Sequence, residues 1–423
     1  MISIFVNSWK VKEIRNKILY TLLILAIVRL GTHIALPGID VLSIKHAQDL
    51  SSFGTSTLYN IIAGGYGSNW SIFAMGIGPY ITSSIIMQLL TVAIPKLEAL
   101  SKEGEEGRKK ISSYTRYLTV ALAALQGTGV VLNYRNMMLN NSVGMCVIAV
   151  LSLVAGTVFI MWLAEQITEK GITNGSSMII FINIISNLPM AIQSLYGTGT
   201  SEGAVGWAKI VGIIVILLVV LIFIVYVNEG ERRLPVQYST KMMGRRSYGG
   251  QSTFMPVKVN TAGVISIIFA LSLLQFPETI SQFVPHVGTV FSKIIAFLKM
   301  THPVGAVLYV ILIFAFSFFY SSLVINPNEI AENMKKNGGF IPGIRPGAPT
   351  SQYIQKTVNR VTWVGAICFA ILALVPIVLQ WIFKIQVGFG GTTLIIVVGV
   401  CLDIVKALES QLLMRHYKGF LTE

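Results

Sequence analysis

Stretches of largely apolar residues, each long enough to cross a lipid bilayer, recur from one end of this chain to the other. A membrane-spanning helix needs about 20 such residues. We count ten stretches and predict an all-α integral membrane protein with ten transmembrane helices. Only 12% of the 423 residues are charged, about half the share typical of soluble domains. The predicted spans are residues 18–36, 73–94, 118–133, 145–163, 177–192, 210–227, 261–276, 304–325, 361–380 and 390–407.

The basic residues between these spans indicate the orientation of the chain. Of the 32 Lys and Arg residues, 25 lie in alternate connecting segments, six lie in the intervening ones, and Arg29 lies within the first span. Cytoplasmic loops carry the excess of Lys and Arg. Both termini are therefore predicted to be cytoplasmic, which requires an even number of spans. No small-residue cleavage site follows the first apolar run, so we expect that span to be retained.

Two of the predicted cytoplasmic loops, residues 228–260 and 326–360, are long and basic. We interpret them as docking surfaces. The alternative is that their charges only satisfy the orientation rule, although the length and the Gly and Pro content of the second loop favour docking.

Ten spans allow a five-plus-five arrangement, with an N-terminal half at 1–200 and a C-terminal half at 201–423. Direct repetition between the halves is not visible in the sequence. Inverted repeats in membrane transport folds often leave only faint sequence traces, so the two halves remain a hypothesis at this point.

Residues that could carry catalysis or coordinate ions are scarce in the predicted spans. The ionisable side chains within or near them are Arg29, Glu165 and Asp403, for which interfacial snorkelling or a salt link between helices is the simpler interpretation. The five histidines lie at span edges or in loops, and no phosphate-binding G-x-x-x-x-G-K-[ST] loop is present. We predict neither an enzyme, nor a metal site, nor a cofactor. The cysteines Cys146, Cys368 and Cys401 have no metal-ligand spacing, and we interpret them as small core residues.

Residues 58–71 are half apolar, rich in glycine and too short to span. They fit either a re-entrant segment inside a cavity or an external loop. In the second span Ile77 and Ile81 are four residues apart, as are Ile180 and Ile184 in the fifth, so each pair shares a helix face. The spacing alone does not decide whether those faces meet lipid, which is the default, or a pore.

Five motifs resemble those of the SecY family of protein-conducting channels, in order and over essentially the whole chain. They are GIGPYITSSIIMQLL (76–90), WLAEQITEKGITNGSSMIIF (162–181), KVNTAGVISIIFAL (258–271), GGFIPGIRPG (338–347) and FGGTTLIIVV (389–398). The resemblance implies an hourglass of two pseudo-symmetric halves, with an apolar pore ring at the waist and a short plug helix beneath it.

By motif position, the resemblance also implies which residues act. The ring consists of Ile77, Ile81, Ile180, Ile184, Ile268 and Ile396. The plug at 58–71 includes Asn60, Ile61, Ile62, Ala63, Gly64 and Gly65. A lateral gate lies between the second and seventh spans, with Gln88 and Asn260 as polar gate residues.

The same resemblance implies partners for the basic loops. Arg245, Arg246 and Arg345 match cytoplasmic contact points for the SecA motor ATPase or the ribosome, and SecE and SecG are the implied companion subunits. Signal peptides, unfolded polypeptides and membrane lipid are the implied ligands. The sequence departs from the family pattern at Ser266, which should straighten the seventh span slightly, and at Ile182 and Asn183, which puts the fine pore geometry in question.

The leading hypothesis is therefore a passive channel in the bacterial plasma membrane that translocates unfolded polypeptides and releases membrane proteins laterally. A secondary transporter with broken helices is the alternative, and it would need ion or substrate ligands at the midplane. A membrane-embedded transferase or protease would need paired carboxylates or a Ser/His arrangement. The scarcity of intramembrane charge disfavours the transporter, and no such catalytic arrangement is evident.

Overall fold

The fold is predominantly helical, as expected from the apolar stretches. The computed structural model describes residues 2–38, 71–133, 138, 142–238, 241–243, 246–248, 252–259, 264–281, 297–298, 302–383 and 391–419. The helices are α1 (Ile2–Lys10), α2 (Lys12–Gly31), α3 (Gly78–Ala93), α4 (Pro95–Lys102), α5 (Glu105–Asn133), α6 (Val143–Lys170), α7 (Gly175–Glu202), α8 (Ala204–Glu229), α9 (Ile265–Ser281), α10 (Pro303–Val324), α11 (Pro327–Lys336), α12 (Ala348–Phe383) and α13 (Gly391–Gly419).

Each of the ten predicted spans falls on a helix, in the order α2, α3, α5, α6, α7, α8, α9, α10, α12 and α13. By length and hydropathy, the described residues contain four helical segments able to cross a membrane, namely Val143–Lys170, Ala204–Glu229, Pro303–Lys336 and Ala348–Val375. The bent pair α3 and α4 makes a fifth if it is counted as one span. The protein is thus a multi-pass membrane protein, and the count of ten crossings stays a prediction.

The break between α3 and α4 has a local cause. Helix α3 ends at Ala93, the next residue, Ile94, has an extended backbone (φ −109°, ψ 113°), and α4 begins at Pro95. A residue that precedes proline is disfavoured in the helical region. The chain therefore turns by 101° at this point, at the predicted end of the second span.

Two large apolar cores hold the helices together. One contains Ile24 of α2, Ile160 of α6 and Ile184 of α7. The other joins α8, α9, α10 and α12 around the fully buried Tyr309. Helix α13 contributes to both cores, and Ile81 of α3 packs against both. Helices α3 and α13 therefore lie where the two cores meet, while the division into halves at 1–200 and 201–423 stays a prediction.

The two basic loops contain β structure, which the all-α prediction missed. Strands β1 (Glu231–Tyr238), β4 (Ser252–Lys258) and β5 (Gly339–Phe340) form an antiparallel sheet in the order β4-β1-β5. Strands β2 (Lys241–Met243) and β3 (Arg246–Tyr248) form a separate hairpin. Because β5 comes from the second loop and β1 from the first, the sheet joins the two loops. Beneath it lies an apolar core of Leu234, Val236, Val257, Met334, Ile341, Ile354 and Val358.

Candidate functional site

The six isoleucines predicted to form a pore ring come together in a single apolar cluster. Four elements supply them: the segment leading into α3 with the first turn of that helix, α7, α9 and α13. Ile77, Ile180, Ile184 and Ile396 are at most 3% exposed, whereas Ile81 and Ile268 are partly buried at its edge. The cluster thus brings together residues that are far apart in the sequence: Ile77 and Ile396 are separated by 319 positions.

Close backbone packing at the junction of α6 and α7 positions Ile180 and Ile184. The Asn174 side chain caps α7 by accepting a hydrogen bond from the Ser176 amide at 3.0 Å. The Gly175 amide donates to Thr168 Oγ1 of α6 at 2.9 Å. A Cβ at Gly175 would overlap the backbone carbonyl group of Ala164. Only glycine allows this approach, which sets the start of α7 against the end of α6.

Similar contacts place the other ring elements. Gly76 has a φ of +55°, a value that favours glycine, and it turns the chain immediately before Ile77. The Ile81 amide then donates to the Ile77 carbonyl at 3.1 Å, which starts α3. A Cβ at Gly399 of α13 would lie 2.5 Å from Val264 Cγ2, so α13 and the start of α9 pack closely.

The two polar departures from the family pattern are buried beside the ring. Asn183 on α7 and Ser266 on α9 are both 0% exposed, and each takes part in a polar interaction. Their neighbours Ile182, Val264 and Ile268 pack against the same apolar cluster. Buried polar groups with partners fix local geometry, so these two positions constrain the packing beside the isoleucine cluster. The predicted straightening of the seventh span stays a prediction.

The predicted gate helices are in contact, although Gln88 lies apart from their interface. Ile85 of α3 and Ile267 of α9 belong to one core cluster. Gln88 is half-buried and lines a polar cavity of about 220 Å³ between α3 and α5, together with Tyr80, Ser84, Arg108 and Ser112. Its Nε2 donates to Ser84 Oγ at 3.4 Å. Asn260 lies outside the described residues.

The predicted plug residues, Asn60 to Gly65, lie outside the described residues. The C-terminal end of the 58–71 segment is described at Ser71, which forms an isolated antiparallel bridge with Ala35 just after α2. The next amide, that of Ile72, donates to the Ile34 carbonyl at 3.0 Å. The segment is thus anchored beside the first predicted span.

Arg345 is exposed on a turn of the second basic loop. Glycines with positive φ flank it, Gly343 at +83° and Gly347 at +111°, and Thr350 Oγ1 donates to the Arg345 carbonyl at 2.8 Å. Of the other predicted contact residues, Arg246 begins β3 and Arg245 lies outside the described residues. The sheet and the apolar core beneath it connect the Arg345 loop to β1.

Two acidic side chains near the spans, Glu165 and Asp403, lie close to basic groups. Arg116 Nε of α5 lies 2.8 Å from Glu165 Oε1 of α6, which confirms the salt-link interpretation of Glu165. Asp403 of α13 lies within electrostatic reach of the Lys258 and Lys406 ammonium groups. The interpretation of Cys401 as a core residue was wrong, because Cys401 is exposed, whereas Cys146 and Cys368 are partly buried. In the described part of the chain, no group of three His, Cys, Asp or Glu residues could hold a metal ion.

Comparison with known proteins identifies the family. The SecY family model matches residues 71–405 of the chain. The protein translocase subunit SecY of Streptomyces coelicolor is 45% identical over 100% of both chains. The chain belongs to the SecY family. The SecY subunit of Aquifex aeolicus is 43% identical over 97% of each chain. SecY is a family of protein-translocation channels and not of enzymes.

Solved structures show the same fold at low sequence identity. A structure described as a protein-conducting channel aligns with a TM-score of 0.64 and 16% identity over 93% of this chain and 91% of that one. Sec61 in the canine ribosome–channel complex from the endoplasmic reticulum aligns with a TM-score of 0.60 and 16% identity over the same shares. The mainly helical architecture is therefore that of SecY and Sec61 channels.

Proposed function

We propose that this chain is the passive, protein-conducting pore of a bacterial plasma-membrane translocase, with ten spans in two halves and both termini in the cytoplasm. The observation that carries the proposal is the apolar cluster in which Ile77, Ile81, Ile180, Ile184, Ile268 and Ile396 meet, within a chain of the SecY family. An apolar constriction without charged ligands excludes ions by dewetting. It also accepts side chains of any chemistry, which suits an unfolded polypeptide.

The proposed seal has two layers. The isoleucine cluster closes around the passing chain, and the 58–71 segment blocks the pore at rest. The bridge between Ser71 and Ala35 supports this arrangement, because it places the last residue of the segment beside the first predicted span. The proposed lateral gate is the contact between α3 and α9, through which a signal peptide or membrane segment passes into lipid.

The proposed partners supply energy and substrate. SecE and SecG are the expected companion subunits, and SecA and the ribosome are the expected cytoplasmic partners. Arg345, exposed on its turn, supports such docking, as do the many basic residues around the joined loops. Guanidinium groups suit both acidic protein surfaces and RNA phosphates. Arg245 and Arg246 complete the proposed docking surface.

Reconstitution tests the proposed function. The chain is incorporated into proteoliposomes with SecE and SecG, and SecA, ATP and a signal-bearing preprotein are added outside. We expect protease-protected preprotein to accumulate, and we expect Arg345→Ala to slow it more than Lys102→Ala, a matched loss of one cationic side chain on α4. Uptake of small solutes without protected preprotein would refute the channel and favour the transporter.

A further inference from the structure

Val259, the last described residue after β4 on the way to the proposed gate helix α9, makes close backbone contacts at two places. Val259 follows β4, and its amide donates to the Gly230 carbonyl at 2.9 Å. Gly230 is the residue between α8 and β1, and the β1–β4 ladder closes there with Glu231 opposite Lys258. Val259, which is followed by residues 260–263 outside the described part of the chain, is thus attached to the end of α8.

A third element, α12, packs against the same residue. A Cβ at Gly365 would overlap the Val259 carbonyl oxygen and would lie 3.3 Å from the carbonyl carbon. Helix α12 therefore touches the Val259 backbone without an intervening side chain. Backbone-to-backbone packing of this kind leaves little room for Val259 to move while α12 stays in place.

Helix α13 adds charged contacts to this region. Lys406 Nζ lies 2.9 Å from Glu229 Oε1 at the end of α8, with the two side chains 40% and 52% exposed. Asp403, one turn earlier on α13, is within electrostatic reach of both Lys406 and Lys258. The charges alternate in sign through Glu229, Lys406, Asp403 and Lys258. Nearby, Glu231 Oε1 lies 2.7 Å from Arg233 Nε.

We propose that these contacts form a clamp, made of Glu229, Val259, Gly365, Asp403 and Lys406, that fixes the cytoplasmic root of α9 and holds the lateral gate closed at rest. The inference rests on the proposed gate between α3 and α9. If α9 is held at its first turn, the gate opens when α9 pivots about that point. The strength of the clamp therefore sets the ratio of closed to open gates. Glu229, Asp403 and Lys406 are positioning residues, since none of them lies in the gate contact itself.

The test measures the gate distance in the full SecE- and SecG-containing complex in lipid vesicles. Spin labels are placed at Leu90 of α3 and Leu273 of α9, both exposed, after replacement of Cys146, Cys368 and Cys401. Distance distributions are recorded by pulsed electron resonance with and without a synthetic signal peptide. The variants are Glu229→Gln, Lys406→Gln, their combination, and Gly365→Ala, with Gly212→Ala as the control because nothing lies within 4 Å of its Cβ position.

Without signal peptide, each single Gln variant is expected to raise the longer-distance population by roughly two- to five-fold, the range for a partly exposed ion pair. The combination should raise it no further than Lys406→Gln alone, because both substitutions remove the Glu229–Lys406 pair and only Lys406→Gln also removes the attraction to Asp403. Gly365→Ala should raise it and Gly212→Ala should leave it unchanged.

Three results would overturn the clamp. If the signal peptide lengthens the wild-type distance but every variant has the wild-type distance distribution, the gate is supported and the clamp is refuted. The same conclusion follows if the effects of the two Gln substitutions on the longer-distance population simply add. If the signal peptide does not change the wild-type distance, the lateral gate in the proposed function is refuted. The clamp is then refuted as well, because it rests on that gate.

Discussion

Replacing Gly175 with alanine should disturb the waist of the channel without touching any isoleucine in it. The added Cβ would lie 2.7 Å from the carbonyl carbon of Ala164 and 2.9 Å from Ile167 Cβ. Carbon atoms in contact prefer separations of about 3.5–4.0 Å, so the start of α7 must move away from α6 by roughly 0.8 Å or more. The obstacle is mainly backbone, which no rotamer change relieves.

This displacement has an energetic and a functional consequence. Overpacking of this kind costs about 1–3 kcal/mol, and it also stretches the hydrogen bond between the Gly175 amide and Thr168 Oγ1. Because α7 carries Ile180 and Ile184 into the apolar cluster, the seal should become leaky to ions. Gly212→Ala is the matched control, since its Cβ meets open space on α8.

Two assays on the assembled complex check the prediction. Thermal unfolding in detergent should show a lower midpoint for Gly175→Ala and little change for Gly212→Ala. Ion efflux from vesicles that contain the idle complex should rise only for Gly175→Ala. Wild-type stability and wild-type efflux for Gly175→Ala would refute the argument that this glycine sets the position of α7.

Further predictions concern the salt link and the joined loops. Arg116→Ala and Glu165→Gln should each destabilise the complex by no more than about 1 kcal/mol, because the pair is partly exposed. If a double-mutant cycle shows that the two losses of stability are purely additive, the two side chains do not interact. Ile354→Ala removes a fully buried side chain beneath the sheet that joins the two basic loops and should cost about 2–5 kcal/mol locally. Limited proteolysis should then cut both basic loops faster, and faster cleavage of only one loop would mean that they do not share a core.

Hydropathy predicted the helices well, because about 20 apolar residues in a row leave few alternatives to a helix. The Ile94–Pro95 break also agrees with local chemistry, since proline restricts the residue before it. The sheet was missed for a physical reason. Strand β5 pairs with β1 from a loop about 100 positions away, as in Gln237 opposite Phe340, and such pairings leave no periodic signal within a basic, glycine-containing loop.

The residues of the isoleucine cluster could be predicted only from the family motifs. Ile180 and Ile184 share a helix face by spacing, but lipid-facing and inward-facing isoleucines have the same pattern. Convergence of four elements on one cluster depends on close contacts such as that between Gly399 and the Val264 side chain, two residues that lie far apart in the chain. The orientation of Gln88 toward α5 and the exposure of Cys401 likewise follow from helix rotation, which composition does not define.

Crosslinking during translocation tests the pore most directly. Single cysteines replace Ile81, Ile184, Ile268 or Ile396 in a background without Cys146, Cys368 and Cys401, and a signal-bearing chain with one cysteine is stalled in transit. Leu218 of α8, 55% exposed on the outside of the fold, provides the lipid-facing control. If the isoleucine cluster is the pore ring, the stalled chain should crosslink at all four positions and not at 218. Crosslinking at none of the four, in a folded and assembled complex, would contradict the account.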